Sequence, residues 1–86
     1  MGQVVVITGC ADGMGRHVAK MLVEAGNTVA GFDMDAKGIA SLSKELNEFG
    51  GDHLLEAIDI TDRPAILKFR DSVLERYGHV DTVLSN

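Results

Sequence analysis

Val4-Val5-Val6-Ile7-Thr8-Gly9-Cys10-Ala11-Asp12-Gly13-Met14-Gly15 is the stretch whose reading decides the fold. Four consecutive β-branched residues predict a strand covered on both faces, as in a parallel sheet flanked by helices. Three glycines follow, where the backbone has to turn tightly and where a side chain would obstruct a ligand's approach. The helix that opens beyond them offers unpaired N–H groups and the positive end of its dipole, which makes phosphate the natural ligand of the turn.

Outward from this stretch, short apolar runs alternate with segments of helical period, the pattern of βαβ units. From Met14, the positions Val18, Met21, Leu22 and Ala25 fall at helical spacing, and Gly26-Asn27 supplies a stop. Thr28 to Asp33 reads as a second strand, and Ile39, Leu42, Leu46 and Phe49 mark a second helix that ends at Gly50-Gly51. Leu54 to Ile60 reads as a third strand. Thr61 or Asp62 then caps a helix that accepts Pro64 in its first turn and is lined by Ile66, Phe69, Val73 and Tyr77. Gly78 ends that helix, and Val80 to Ser85 forms a fourth strand. On these faces Met14, Met21 and Phe69 are expected to fill the core, and Lys44, Glu45 and Glu48 to form a solvated surface.

Right-handed crossovers place the first two helices on one side of the sheet and the third on the other, giving strand order 3-2-1-4. The expected fold is thus an α/β, Rossmann-type doubly wound parallel sheet, truncated after strand four, with residues 1–86 as the N-terminal part of a dinucleotide-binding domain. Strands one and four flank the switch point, where ligands of open α/β sheets bind. With strand four as an apolar edge, the isolated segment is expected to be marginally stable or self-associating.

Composition narrows the functions. Across 86 residues, 45% are hydrophobic and 24% charged, an ordinary globular balance that argues against disorder, collagen and coiled coil. A formal charge of −5 argues against binding a phosphate backbone or an anionic lipid surface. No apolar run approaches the roughly 20 residues of a membrane span, and the N-terminus lacks the pattern of a signal peptide. Cys10 is the single cysteine, which suits a reducing compartment, so a soluble, cytoplasmic protein is expected.

The second strand ends at Asp33, where a carboxylate can accept hydrogen bonds from both hydroxyls of an adenosine ribose and would repel a 2′-phosphate. No arginine adjoins Asp33, and Asp12 adds a second negative charge in the glycine turn, so NAD is favoured over NADP. The turn lacks the Gly-Lys-Ser/Thr ending of a P-loop. Cys10 has no histidine or metal partner nearby and reads as an inert small residue. His17, His53 and His79 lack metal-ligand spacing and read as structural or surface groups, so no metal site is expected.

The spacing Thr8-Gly9-x-x-x-Gly13-x-Gly15 resembles that of the short-chain dehydrogenases/reductases. Asp59-Ile60-Thr61 is similar to the family's strand-three terminus, where the resemblance implies that the carboxylate meets the adenine amino group and the next residue flanks the ring. Val83-Leu84-Ser85-Asn86 is similar to the opening of the family's Asn-Asn-Ala-Gly motif, with Ser85 in place of the first asparagine, and Asp81 matches the aspartate that commonly precedes strand four. The cofactor-binding set implied is Gly9, Asp12, Gly13, Met14, Gly15, Asp33, Asp59, Ile60 and Asn86.

The resemblance implies an NAD-dependent oxidoreductase that moves hydride between the nicotinamide and a small-molecule carbonyl or secondary alcohol. Its serine, Tyr-x-x-x-Lys pair and assisting asparagine follow strand four, so no catalytic residue is assigned within the chain and a truncated parent is expected, homo-oligomeric through later helices. Tyr77 has no lysine four places on and reads as a helix-end packing residue. A dinucleotide sensor or binding module without catalysis is the alternative from another class.

Overall fold

The computed structural model describes residues 2–86. The chain runs β1 (Val4–Thr8), α1 (Gly13–Glu24), β2 (Thr28–Asp33), α2 (Ala36–Asn47), β3 (Leu54–Ala57), α3 (Arg63–Tyr77) and β4 (Thr82–Ser85). The strands form one parallel sheet in the order β3-β2-β1-β4, as the crossover argument predicts. Ile7 lies opposite Gly31 on one side and Leu84 on the other, so β1 is the central strand of the switch point.

Each helix begins on an aspartate. Asp12 accepts the Gly13 amide, Asp35 the Gly38 amide and Asp62 the Ala65 amide, so one otherwise orphaned N–H of each first turn is satisfied. Pro64 occupies the first turn of α3, where its missing N–H is harmless. Gly78 closes that helix in the left-handed region at φ 80°, donating its N–H to Leu74 O.

Two apolar clusters form, one on each sheet face. Val5, Ile7, Ala19, Val23, Val29, Ile39, Leu42 and Leu46 pack between the sheet and α1 with α2, whereas Ala30, Phe32, Ile58, Phe69 and Val73 pack beneath α3. Phe32 and Phe69 meet edge to face with centroids 5.3 Å apart. Tyr77 packs on the second cluster, and its hydroxyl donates to Asp52 O at 3.2 Å.

The structure corrects several expectations. Met14 and Met21 are 69% and 56% exposed, because α1 meets the sheet through Gly15, Ala19 and Val23, a narrow stripe of small side chains that lets helix and sheet approach closely. Phe49 lies beyond the end of α2 and is exposed. β3 stops at Ala57 rather than Ile60, because Asp59 Oδ1 accepts both the amide and the hydroxyl of Thr61 and bends the chain out of the ladder. β4 starts at Thr82, later than Val80. Lys44 and Glu48 are exposed, whereas Glu45, expected on the same solvated face, is partly covered by ion pairs with Arg16 and Lys20.

Candidate functional site

The carboxyl ends of β1, β2 and β4 converge on the turn between β1 and α1. Gly9 sits at φ 67° and donates its N–H to Phe32 O at 2.9 Å, which fastens the turn to β2. Gly13 sits at φ 58°, and a methyl group built there would meet nothing within 4 Å, so its face is open. Gly15 is the opposite case: a Cβ there would lie 2.5 Å from Gly9 O and 2.8 Å from Asn86 Nδ2. Gly13 keeps the outer side of the turn free for a ligand, and Gly15 lets the helix close against the turn from within.

Asp33 stands at the end of β2 and ties the site together. Its Oδ2 accepts the Ala11 amide at 3.0 Å and its Oδ1 accepts the Asp35 amide at 2.9 Å. Each oxygen retains a lone pair, so the carboxylate is oriented by backbone donors while still able to accept a further hydroxyl. A cleft beside it is lined by Gly9, Phe32, Asp33, Met34, Ile58, Ile60 and Asn86. Ile60 is 70% exposed, offering an apolar flank to a planar group.

Asn86 fixes the other side. Its amide N–H donates to Thr8 Oγ1 at 3.3 Å and its Nδ2 donates to Gly9 O at 3.0 Å, so the residue after β4 clamps the glycine turn. A second cleft, lined by Met14, Gly15, Leu84, Ser85 and Asn86 among others, opens on the far side of Asn86. Asp12 is exposed, and its carboxylate is engaged with the helix amide it caps. Asp59 is exposed as well, and the Thr61 amide and hydroxyl hold its carboxyl below the usual carboxylate range. It does not line the cleft that Ile60 lines.

Sequence reading missed Arg16, Gly31 and Gly38. Gly31 lies within β2, where a Cβ would sit 2.8 Å from both Cys10 Sγ and Ile7 O, and Gly38 lies in α2, where it would sit 2.8 Å from Ala11 Cβ. Glycine inside a strand and inside a helix was the available signal of close approach. Cys10 is fully buried, and burial, reinforced by the Asp33 charge, pushes its thiol up to about 11. The residue is a packing element beneath the turn, as expected. Among the described residues no cluster could hold a metal ion, and no helix is long and apolar enough to cross a membrane.

The family model described as "short chain dehydrogenase" matches residues 3–86. The chain is 29% identical over 85 residues to 3beta-hydroxysteroid dehydrogenase 2 of Eggerthella lenta, covering 99% of this chain and 33% of that protein. In structure it is similar to an NAD+-bound xylitol dehydrogenase (TM-score 0.87, 27% identity, 95% of this chain and 32% of that one). It is also similar to a metagenomic short-chain oxidoreductase in complex with NADP (TM-score 0.83, 30% identity, 95% and 37%). The chain thus spans about a third of the length of these relatives. With a match across nearly every residue and the glycine turn, Asp33 and Asn86 meeting around one crevice, the chain belongs to the short chain dehydrogenase family.

Proposed function

We propose that this chain forms the adenosine- and pyrophosphate-binding part of an NAD-dependent oxidoreductase. In the whole protein, hydride passes between the bound nicotinamide and a carbonyl or secondary alcohol of a small molecule. The observation that carries this reading is the Asp33 carboxylate, aimed by the Ala11 and Asp35 amides at the rim of the cleft beside the glycine turn.

The residues present fit such a cofactor. Gly13 and the first amides of α1 receive the pyrophosphate, with Gly9 and Gly15 allowing its approach and Met14 flanking it. Asp33 accepts the adenosine ribose hydroxyls, and the side chains of Met34 and Ile60 border the adenine, with Asp59 at its outer edge. Asn86 holds the turn in shape from β4. The Asp33 carboxylate in the cleft lining, with Asp12 as a second negative charge in the glycine turn, disfavours the extra phosphate of NADP.

None of the chain's own residues is assigned the proton transfer, since Tyr77, its one tyrosine, is engaged with Asp52 O at the far end of α3. A reducing cytoplasm suits the single free thiol of Cys10. Calorimetric titration of the chain with NAD tests the assignment. Saturable binding that Gly13→Val removes supports it, and equal NAD affinity in the two proteins refutes the pocket.

A further inference from the structure

Arg16 lies one residue past the glycine turn, on α1, yet its guanidinium reaches two other segments, the turn itself and α2. Nη1 donates to Ala11 O at 3.1 Å and to Gly38 O at 3.3 Å, and Nη2 donates to Ser41 Oγ at 2.9 Å and meets Glu45 Oε1 at 2.5 Å. Ala11 is the residue whose amide binds Asp33, so this one residue is held by Asp33 through its N–H and by Arg16 through its carbonyl, on two consecutive peptide units. The four contacts stitch the turn to the first three turns of α2. Gly38 makes the approach possible, because any side chain there would strike Ala11.

The charge of this guanidinium is opposed locally by one carboxylate, which it shares with Lys20. Glu45 takes Arg16 on one oxygen and Lys20 Nζ on the other, at 2.8 Å. The Lys20 and Arg16 contacts hold the Glu45 carboxyl below its usual range, so it is ionised throughout neutral pH. Arg16 is only 21% exposed, a position in which solvent screens its field poorly toward the crevice.

Resting on the NAD-binding reading above, we infer that Arg16 and Glu45 form a positioning and specificity-setting pair. Arg16 fixes the glycine turn and the Ala11 amide that aims Asp33, and Glu45 opposes the charge of Arg16 and keeps it turned toward α2, so that Arg16 itself is not free to serve a 2′-phosphate from beneath the turn. Selectivity for NAD is then set partly from α2, away from any atom of the dinucleotide. Lys37 is a further cation, exposed on the first turn of α2.

The test is calorimetric titration of four proteins with NAD and with NADP at low and high salt: wild type, Glu45→Gln, Arg16→Gln and Arg16→Gln/Glu45→Gln. Glu45→Gln is expected to shift the ratio of NADP to NAD affinity toward NADP on the order of fivefold, the effect of one uncompensated charge near a protein surface. High salt should shrink that gain.

The gain is expected to vanish in the double variant, whereas its persistence there would assign it to Lys20 or Lys37 and overturn the role of Arg16. Arg16→Gln should weaken NAD binding and speed hydrogen exchange at the Ala11 amide. NAD and NADP affinities that move in equal proportion in Glu45→Gln would mean a purely structural ion pair and would also overturn the inference. Should wild type bind neither dinucleotide, the NAD-binding reading itself fails and takes the specificity claim with it. The Ala11 exchange rate still reports separately whether Arg16 holds the turn.

Discussion

The Asp33 carboxylate and the Ala11 amide, 22 residues apart, are joined by a 3.0 Å hydrogen bond across the carboxyl ends of β2 and β1. The bond makes the shape of the glycine turn depend on a residue that lines the cleft beside it. The glycine turn and the carboxylate at the end of β2 are therefore one unit rather than two adjacent features.

Close packing around that unit leaves little room for extra atoms. Gly15→Ala would drive a methyl group against Gly9 O and Asn86, and Gly31→Ala would drive one against Ile7 O and Cys10 Sγ. Each substitution is expected to cost roughly 1–3 kcal/mol by overpacking, seen as a lower Tm in thermal denaturation. Unchanged Tm values in both variants would contradict the packing described.

Cys10 should be protected in the native state. With the thiol buried and pushed up to about 11, its reaction with a thiol-specific alkylating reagent at pH 8 is expected to be at least ~100-fold slower in the folded chain than in denaturant. Comparable rates in the two states would show that the turn opens readily.

Acidification should weaken the α1–α2 contact through Glu45. Because its folded-state pKa lies below the unfolded one, its contribution is complete above the ordinary glutamate value and disappears as pH falls through the folded value. Tm measured from neutral pH downward is expected to fall less steeply for Glu45→Gln than for wild type in that window. Identical profiles would remove Glu45 from the account.

Much of this architecture is legible in the residues. The β-branched run Val4–Ile7, the helical spacing of the apolar residues and the glycines that follow each helix suffice for element order, and handedness then dictates the sheet. Helical spacing alone could not tell which flank of α1 faces the sheet. Ala19 and Gly15 outcompete Met14 and Met21 because the close helix–sheet approach favours small side chains over large ones. Tertiary pairings were equally out of reach: nothing in the order of residues reveals that Arg16 meets Glu45, or that Asp59 spends its carboxylate on Thr61 and ends β3 early. Gly31 and Gly38 carried a readable signal of close contact, but their partners emerge only from the fold.

β4 is the apolar edge that the strand order implies. Val83 and Leu84 are 62% and 38% exposed, beside a hydrophobic groove lined by Ile66, Phe69 and Leu74 of α3. The 86-residue chain is expected to self-associate with rising concentration in sedimentation velocity, and Val83→Lys is expected to reduce this. A monomer at all concentrations with a sharp, cooperative melt would count against it.

Asp33 is the residue proposed above to read the adenosine ribose. The most direct measurement is the ratio of NAD to NADP affinity, by calorimetry in one buffer at one salt concentration, for the wild-type chain and Asp33→Asn. The account predicts a clear NAD preference in wild type and a ratio about tenfold or more closer to unity in the variant, since the charge that repels the 2′-phosphate is gone while the side-chain shape remains. Saturable NAD binding with the same ratio in both proteins would contradict it.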